Sequence, residues 1–274
     1  PGAAARRVPA DLDLVHAGPG ARLTWIGHAS FLATLDSSHL LIDPVFSDRV
    51  GGLVRRHGRP GLLVEQLPRP DAVLVTHAHY DHLDRPSIDA LPRDVPRVVP
   101  LGVGEIIRGW GSPRVIELDW WESVEFERAR VTLVPARHWS RRWGSGLNRA
   151  LWGGFVIESD AGSVYHAGDS ARFAGFATIG ERFPGLLAAM LPVGSYDPAW
   201  FMERQHMNPE QAGEAFLALG AGSLVPMHWG TFQLTDEPLC EPEQRMRRWW
   251  AERRPEGKRL HSLAVGQTIS LETA

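Results

Sequence analysis

His77-Ala-His79-Tyr-Asp81-His82 gathers three imidazoles and a carboxylate into six consecutive residues. The run directly follows residues 72–76, a compact apolar stretch of the kind that forms a buried strand. The cluster is therefore expected on a tight loop where that strand ends at His77, on the sort of rigid scaffold that carries functional residues. Alternation predicts His77 and His79 on one side, with Asp81 and His82 turned toward a second position. Imidazole nitrogen and carboxylate oxygen both ligate zinc-like ions, at roughly 2.0–2.2 Å. A loop that is merely polar has no reason to concentrate these side chains immediately after a buried strand.

Outward from this run, residues 22–26, 31–35 and 40–42 read as short strands separated by turns. Downstream, residues 84–91 read as a loop with a short helix, and 103–110 as a helix. The strand pattern resumes at 114–118, 123–126 and 131–134. Residues 152–158 and 163–166 form an expected hairpin around Asp160-Ala161-Gly162. Residues 185–191 make another buried strand. Pro209–Leu219 has helical spacing, with Asn208 as N-cap and Pro209 in the first helical position. Residues 242–253 form a charged amphipathic helix. Both halves repeat the order strands, helix, strand, and no linker interrupts them. One domain over residues 1–274 is expected, with 1–21 as an N-terminal extension and two mixed sheets packed face to face between helices.

Three later positions share the context of a strand end followed by small or polar residues. They are His138, Asp169 in His166-Ala-Gly-Asp-Ser170, and His228 in Pro226-Met-His-Trp-Gly230. Singly, they read as a surface histidine, a turn former and a core histidine. Together with His77–His82 they complete two ligand sets.

Composition narrows the alternatives. Hydrophobic residues make up 43% and charged residues 22%, which suits a globular chain with a sizeable core. A net charge of -3 gives no basic stripe, so a nucleic-acid partner is not expected. Lys258 is the only lysine, so an arginine at any one position carries little information. One cysteine, Cys240, allows no internal disulfide. No apolar run approaches the roughly 18 residues that span a bilayer, and residues 1–10 lack the apolar core of a signal peptide. The expected location is the cytoplasm. Peripheral membrane contact and a removed segment upstream of Pro1 remain as alternatives, and the oligomeric state is open.

The ligand pattern resembles the metallo-β-lactamase superfamily. The resemblance implies an α/β fold, the four-layer αββα sandwich, with metals at one edge of the sheets. It implies that His77, His79 and His138 bind one metal, that Asp81, His82 and His228 bind a second, and that Asp169 bridges them. Within the superfamily, several further motifs are similar to the N-acylphosphatidylethanolamine-hydrolysing phospholipase D branch. These are Trp25-Ile-Gly-His-Ala-Ser30, Leu41-Ile-Asp-Pro-Val-Phe-Ser-Asp48, His138-Trp-Ser140, Asn148-Arg-Ala-Leu-Trp-Gly-Gly154, Tyr196-Asp-Pro-Ala-Trp-Phe-Met202, Gln205-His206 and His228-Trp-Gly-Thr-Phe232. The implied substrate is a phospholipid or a small molecule with a related phosphodiester. The implied cofactors are two divalent ions, zinc by default, with manganese or iron also suited to nitrogen and oxygen ligands.

Two metals roughly 3.5–4 Å apart hold a hydroxide at neutral pH, and Asp81 is the residue expected to orient it. Asp43 ends the 40–42 strand, either as the carboxylate that receives a ligand histidine's second N–H or as a turn former before Pro44. His28 is expected behind the ligands by resemblance. His206 is implied in the substrate cleft, near the head group or leaving alcohol. Arg141, with Arg142 beside it, has the geometry to bind phosphate. Trp139, Trp143 and Trp152 either line an acyl pocket or belong to the core. Ser140 and Ser170 lie in no nucleophile elbow, and no phosphate-cradling Gly-Lys-Ser/Thr loop occurs. A lactonase or other carbonyl-ester hydrolase on the same metals is the competing reading. A non-catalytic metal-binding domain is the third, and seven ligands over two ions would leave positions open, unlike a closed structural site.

Overall fold

The computed structural model describes residues 4–144 and 146–272. After a short helix α1 (Leu12–Val15), strands β1 (Ala21–Gly27), β2 (Ser30–Leu35) and β3 (Ser38–Ile42) form an antiparallel meander. A two-residue-per-strand hairpin, β4 (Arg49–Val50) with β5 (Val54–Arg55), stands apart from the main sheets. The chain then adds β6 (Ala72–Leu74), β7 (Arg97–Pro100) and β8 (Val115–Leu118) in parallel, crossing over through α2 (Arg85–Ala90) and α3 (Val103–Gly109).

The second half repeats the scheme. An antiparallel run of β9 (Ser123–Glu125), β10 (Arg130–Val134), β11 (Gly154–Ser159) and β12 (Gly162–His166) is followed by parallel β13 (Ala188–Pro192), β14 (Ser223–Met227) and β15 (Arg259–Leu260). Its helices are α4 (Gly175–Arg182), α5 (Ala199–Met202), α6 (Pro209–Leu219) and α7 (Glu241–Arg253). The last strand, β16 (Thr268–Leu271), returns to pair with β1.

Side-chain alternation explains the layering. Along the first sheet, Leu23, Trp25, Phe31, Ala33, Leu40, Ile42, Leu74 and Val98 face the second sheet. Their neighbours Ile26, Leu32, Leu41, Val73, Val75 and Val99 enter a separate core with Val15, Ile88, Val103 and Ile107 from α1, α2 and α3. Strand period two thus divides one apolar sequence between two cores, and a sheet covered on both faces reads as continuous hydrophobicity. Phe176, Phe216, Met246 and Trp249 of α4, α6 and α7 close the far side. The result is the expected four-layer αββα sandwich.

Local chemistry sets the element ends. The Asn208 side chain accepts from Gln211 N, Gln211 Oε1 accepts from Asn208 N, and Gly220 ends α6 at φ 70, a capping box and a left-handed C-cap. The strand expected over 72–76 stops at Leu74, because the Thr76 amide donates to Asp43 Oδ1 and not to a neighbouring strand. The strand expected from Trp152 begins at Gly154, since the Gly153 amide donates to Thr76 O in the opposite half. The strand expected over 185–191 shifts to Ala188–Pro192 behind a left-handed Gly185. The β4–β5 hairpin, β15, β16 and α5 were not anticipated, and β14 only as the strand end that precedes His228. From the expected N-terminal extension, Ala5 N donates to Gly230 O and Val8 N to Val265 O, so this stretch runs along the His228 loop; residues 1–3 of it lie outside the described residues. Among the described residues, no helix is long and apolar enough to cross a membrane.

Phe31, fully buried between the sheets, tests the central core. Phe31→Ala is expected to lower unfolding free energy by about 3–5 kcal/mol in urea titrations. Leu217→Ala, on the outer face of α6, is expected to stay within about 0.5 kcal/mol.

Candidate metal centre

The candidate ligands come from the ends of strands in both halves. His77 to His82 follow β6 and Asp43 follows β3. Asp169 lies just beyond β12, His228 directly follows β14, and His138 lies beyond β10. His28 occupies the β1–β2 turn, where a register shift between Trp25 and Gly27 re-aims the chain. Open α/β sheets place ligands at the carboxyl ends of their parallel strands for the same reason: the loops there converge. His28, Asp43, Ser195 and His228 all have positive φ, between 43 and 63. This region is uncommon for side-chain-bearing residues and costs of order 1–3 kcal/mol each, strain the surrounding bonds must hold. They do so here. His28 O accepts from both the Trp25 indole (2.8 Å) and His228 N (3.1 Å), and His28 N donates to Thr231 Oγ1 (2.9 Å). The Trp25 and His228-Trp-Gly-Thr motifs are therefore two halves of one latch. Gly168 serves the same end at φ 60, where a Cβ would lie 2.6 Å from Gly153 O.

Hydrogen bonds fix which nitrogen each histidine offers. His82 Nδ1 contacts Asp43 Oδ2 at 2.7 Å. A carboxylate accepts, so Nδ1 carries the proton and Nε2 presents its lone pair. Thr76 Oγ1 donates to Asp43 Oδ2 at 2.7 Å, which leaves it to accept from His77 Nδ1 at 3.0 Å. His138 Nδ1 donates to the carbonyl of Gln205 at 2.9 Å. One buried carboxylate and one carbonyl thereby turn three Nε2 lone pairs toward a common point.

Around that point the atoms form two overlapping sets. His77 Nε2 lies 2.9 Å from His79 Nδ1, which is 3.2 Å from His138 Nε2. Asp169 Oδ2 stands 3.8 and 3.7 Å from His77 and His138 Nε2, and 3.2 Å from His82 Nε2, while its Oδ1 is 3.1 Å from His228 Nε2. Asp81 Oδ2 is 3.4 Å from His228 Nε2, 3.6 Å from His82 Nε2 and 2.9 Å from His28 Nε2. Ligands at roughly 2.0–2.2 Å around a tetrahedral ion are separated by roughly 3.4 Å, so these spacings fit cations. The buried His82 Nε2, His228 Nε2 and Asp169 Oδ1 make no hydrogen bond of good geometry, which suits atoms that would ligate an ion. His77, His79, His138 and Asp169 group within 4.8 Å, as do His28, Asp81, His82 and His228. Asp169 lies between the sets.

Electrostatics agree. Burial pushes His77 and His138 well below the ordinary histidine range, and takes His28 down to about 3 and His206 to about 4. Burial opposes charge on His228 too, but Asp169 and Asp81 overcome it and raise His228 to about 9. Asp169, Asp81 and Asp43 likewise hold His82 well above its ordinary value against burial. Burial would raise Asp81 and Asp169, yet the surrounding imidazoles hold both well below the usual carboxylate range. Negative charge in this pocket calls for positive charge, from protons or from cations.

A cleft of about 740 Å³ opens over the cluster, with Val50, Leu53, Trp139, Trp143, Phe201 and Leu234 in its walls and His79, Asp81, Asp169, His206 and His228 in its floor. His206 is buried, its ring 5.1 Å from His138 and 5.3 Å from His228. It groups with Asp169 and His228 as a third potential ligand set, which was not expected. Trp139 packs 4.6 Å from the His79 ring. Two of the candidate cleft residues lie elsewhere. Arg141 is exposed and outside the cleft lining; its neighbour Arg142 turns inward, donating to the carbonyls of Ala78 and Leu83 and stacking 4.1 Å over Tyr80. Trp152 does not face the cleft; its indole donates to Ala136 O and its ring meets Trp120 edge-on. Thr76 and the Gln205 carbonyl were missed. Thr76 adjoins His77 and could have been suspected, whereas a backbone carbonyl leaves no trace in sequence.

Comparisons with known proteins agree with this geometry. A family model described as a β-lactamase superfamily domain matches residues 38–229. An uncharacterized protein of Mycobacterium tuberculosis is 40% identical over 253 residues, 87% of this chain and 67% of that one. The N-acyl-phosphatidylethanolamine-hydrolyzing phospholipase D 1 of Caenorhabditis elegans is 33% identical, over 86% of this chain and 71% of its own. The solved structure of a metallo hydrolase from Ignicoccus hospitalis shares the fold, with TM-score 0.68 at 24% identity over 92% of this chain and 98% of that one.

Asp43→Asn removes the carboxylate behind His82 and Thr76. Competition with a chromophoric chelator is expected to show metal affinity reduced about 10–100-fold, and unchanged affinity would discount the Asp43 relay. In protein stripped of metal, protonated His228 stabilises the fold below its unfolded value of 6.5, and this is lost as pH rises through about 9. Neutral His28 and His206 act oppositely: their contribution is present above 6.5 and lost as pH falls toward about 3 and about 4 respectively. Thermal melts of the metal-free protein are expected to peak near neutrality and fall on both sides. A midpoint that climbs steadily to alkaline pH contradicts this.

Proposed function

Because the chain belongs to the metallo-β-lactamase superfamily of metal-dependent hydrolases, we propose that it is a binuclear metal phosphodiesterase of phospholipase D type. Its substrate on this reading is N-acylphosphatidylethanolamine or a related phosphodiester. The observation that carries the reading is the apolar cleft of about 740 Å³ ending on the histidine and aspartate cluster. Such a cleft accepts acyl chains while the polar floor receives the phosphate. The motifs shared with the phospholipase D branch support it, as does the similarity to the worm enzyme.

His77, His79 and His138 would hold one cation, Asp81, His82 and His228 the second, and Asp169 both. Bound there, two divalent ions, zinc by default, would supply Lewis acidity to the phosphoryl oxygens and would lower the pKa of water to about 7. His28 Nε2, 2.9 Å from Asp81 Oδ2, fixes the Asp81 carboxylate so that it can orient the attacking water. His206 is neutral at pH 7, given its lowered value of about 4. It lies in the cleft floor with Nδ1 unpartnered, where a ring N–H can stabilise the leaving alcohol. Trp139 and Phe201 flank the acyl chains.

A second reading, an acyl lactone or other carbonyl ester as substrate, has one observation in its favour. The cleft lining contains no arginine or lysine among the described residues, which suits a neutral substrate. Zinc- or manganese-loaded protein should turn over bis(p-nitrophenyl) phosphate and an N-acylphosphatidylethanolamine. Lactone turnover without phosphodiester turnover would overturn the leading reading. Asp81→Asn is expected to lower kcat/KM by about 10²-fold or more; full activity with both metals retained would remove Asp81 from the mechanism.

A further inference from the structure

We propose that His166 is a positioning residue of the metal centre, whose two ring nitrogens hold the Asp169 loop of one sheet and the His28 turn of the other in fixed relation. The proposal rests on the two-metal reading of the site and is independent of which substrate is cleaved. His166 opens the run His166-Ala-Gly-Asp-Ser170, yet among the described residues it belongs to none of the three potential ligand groups. It is the last residue of β12 and is fully buried. Its ring meets Phe31 edge-on with centroids 5.9 Å apart, so it faces the first sheet across the central core. A polar ring in such a place is costly unless its nitrogens are hydrogen-bonded.

Both nitrogens are answered, and the partners fix the tautomer. Ala29 O lies 2.9 Å from Nε2. A carbonyl only accepts, so Nε2 carries the proton. Nδ1 is left with its lone pair, and the Gly168 amide donates to it at 3.1 Å. Burial lowers the His166 pKa, which keeps the ring in the neutral form that this pair of bonds requires.

Each bond ends beside a residue that controls a carboxylate of the site. Gly168 immediately precedes Asp169. At φ 60 it packs so closely on Gly153 O and the Thr76 side chain that no Cβ fits, so the amide held by His166 fixes where the Asp169 carboxylate emerges. Ala29 immediately follows His28, whose Nε2 contacts Asp81 Oδ2 at 2.9 Å. The bonds from Trp25, His228 and Thr231 hold the backbone N–H and C=O of His28 itself, and His166 adds a hold on the peptide that comes next. Asp81 belongs to the first half and Asp169 to the second. One imidazole thereby sets the spacing of two carboxylates that arrive from opposite sheets, and bonds behind the ligands in this manner tune metal affinity.

Two substitutions separate the bonds. His166→Asn keeps an acceptor oxygen at the covalent distance of Nδ1 and loses the donor to Ala29. His166→Gln extends an amide N–H to the reach of Nε2 and loses the acceptor for Gly168. The full chain, stripped and reloaded with Mn²⁺, is titrated by calorimetry, and the loaded protein is read by electron paramagnetic resonance for magnetic coupling between the two ions. His166→Gln frees the Asp169 loop, so both equivalents should bind about tenfold more weakly and the coupling signal should fall. His166→Asn frees only the His28 turn, so the first equivalent should bind as in the unsubstituted protein, the second about tenfold more weakly, with coupling retained. A purely structural His166 would lower the thermal midpoint of both metal-free variants and leave this split absent. Equal effects of the two substitutions on both equivalents, or no effect of either, overturn the proposal. A check without variants is the ring itself: long-range ¹H–¹⁵N spectra of the zinc-loaded chain should show His166 protonated at Nε2, and protonation at Nδ1 overturns the assignment. Uptake of a single cation by the unsubstituted protein would overturn the two-metal reading and the proposal with it, whereas two tight cations with unchanged variants overturn the proposal alone.

Discussion

Asp43 and Asp169 are buried at one end of a largely apolar core, and Asp81 stands beside them only 13% exposed. Carboxylates in such a place are tolerated only if each is paired and hydrogen-bonded. Asp43 is answered by the Thr76 amide and hydroxyl and by His82. Asp81 and Asp169 are answered by imidazoles whose protons or bound cations must supply the opposite charge. Much of the local backbone follows from this demand. β6 stops at Leu74 so that Thr76 can serve Asp43, and His28, Asp43 and His228 adopt left-handed φ to bring their side chains inward.

The two halves of the sandwich divide the work. The first contributes His28, Asp43 and the His77–His82 run; the second contributes His138, Asp169, His206 and His228. Neither four-residue set lies within one half: His138 and Asp169 from the second complete the set begun by His77 and His79, and His228 completes that of His28, Asp81 and His82. Packing of the central core between the sheets is therefore also assembly of the site. The direct link from His228 N to His28 O, with Trp25 and Thr231 around it, ties strand ends of the two sheets into one unit. Arg142 does a similar service on the other side, where it clamps the carbonyls of Ala78 and Leu83.

Above this polar floor the walls have the opposite character. They come largely from short segments outside the two main sheets, the β4–β5 hairpin, the 140–148 loop and α5. Their apolar side chains face both the cleft and the solvent. A charged floor fixed by the sheets thus lies beneath apolar walls set on loops.

Sequence alone determined the ligand run His77–His82, the order of most strands and helices, and the N-cap of α6, because each depends on neighbours a few residues apart. A metal loop after a buried strand, an Asn-Pro helix start and an apolar alternation are local patterns. The β4–β5 hairpin was local as well, marked by Gly51-Gly52 between Val50 and Val54, and was overlooked. Strand-end context nominated His138, Asp169 and His228, and resemblance divided them between two metals. The tertiary structure decided their distances, the proton position on each ring and the relay through Thr76 and Asp43. It also separated Arg141 from Arg142 and Trp152 from Trp139 and Trp143. Adjacent arginines and similar tryptophans look alike in a chain. Which one points into a cleft depends on carbonyls and rings brought near from distant positions, and no spacing in the sequence encodes that.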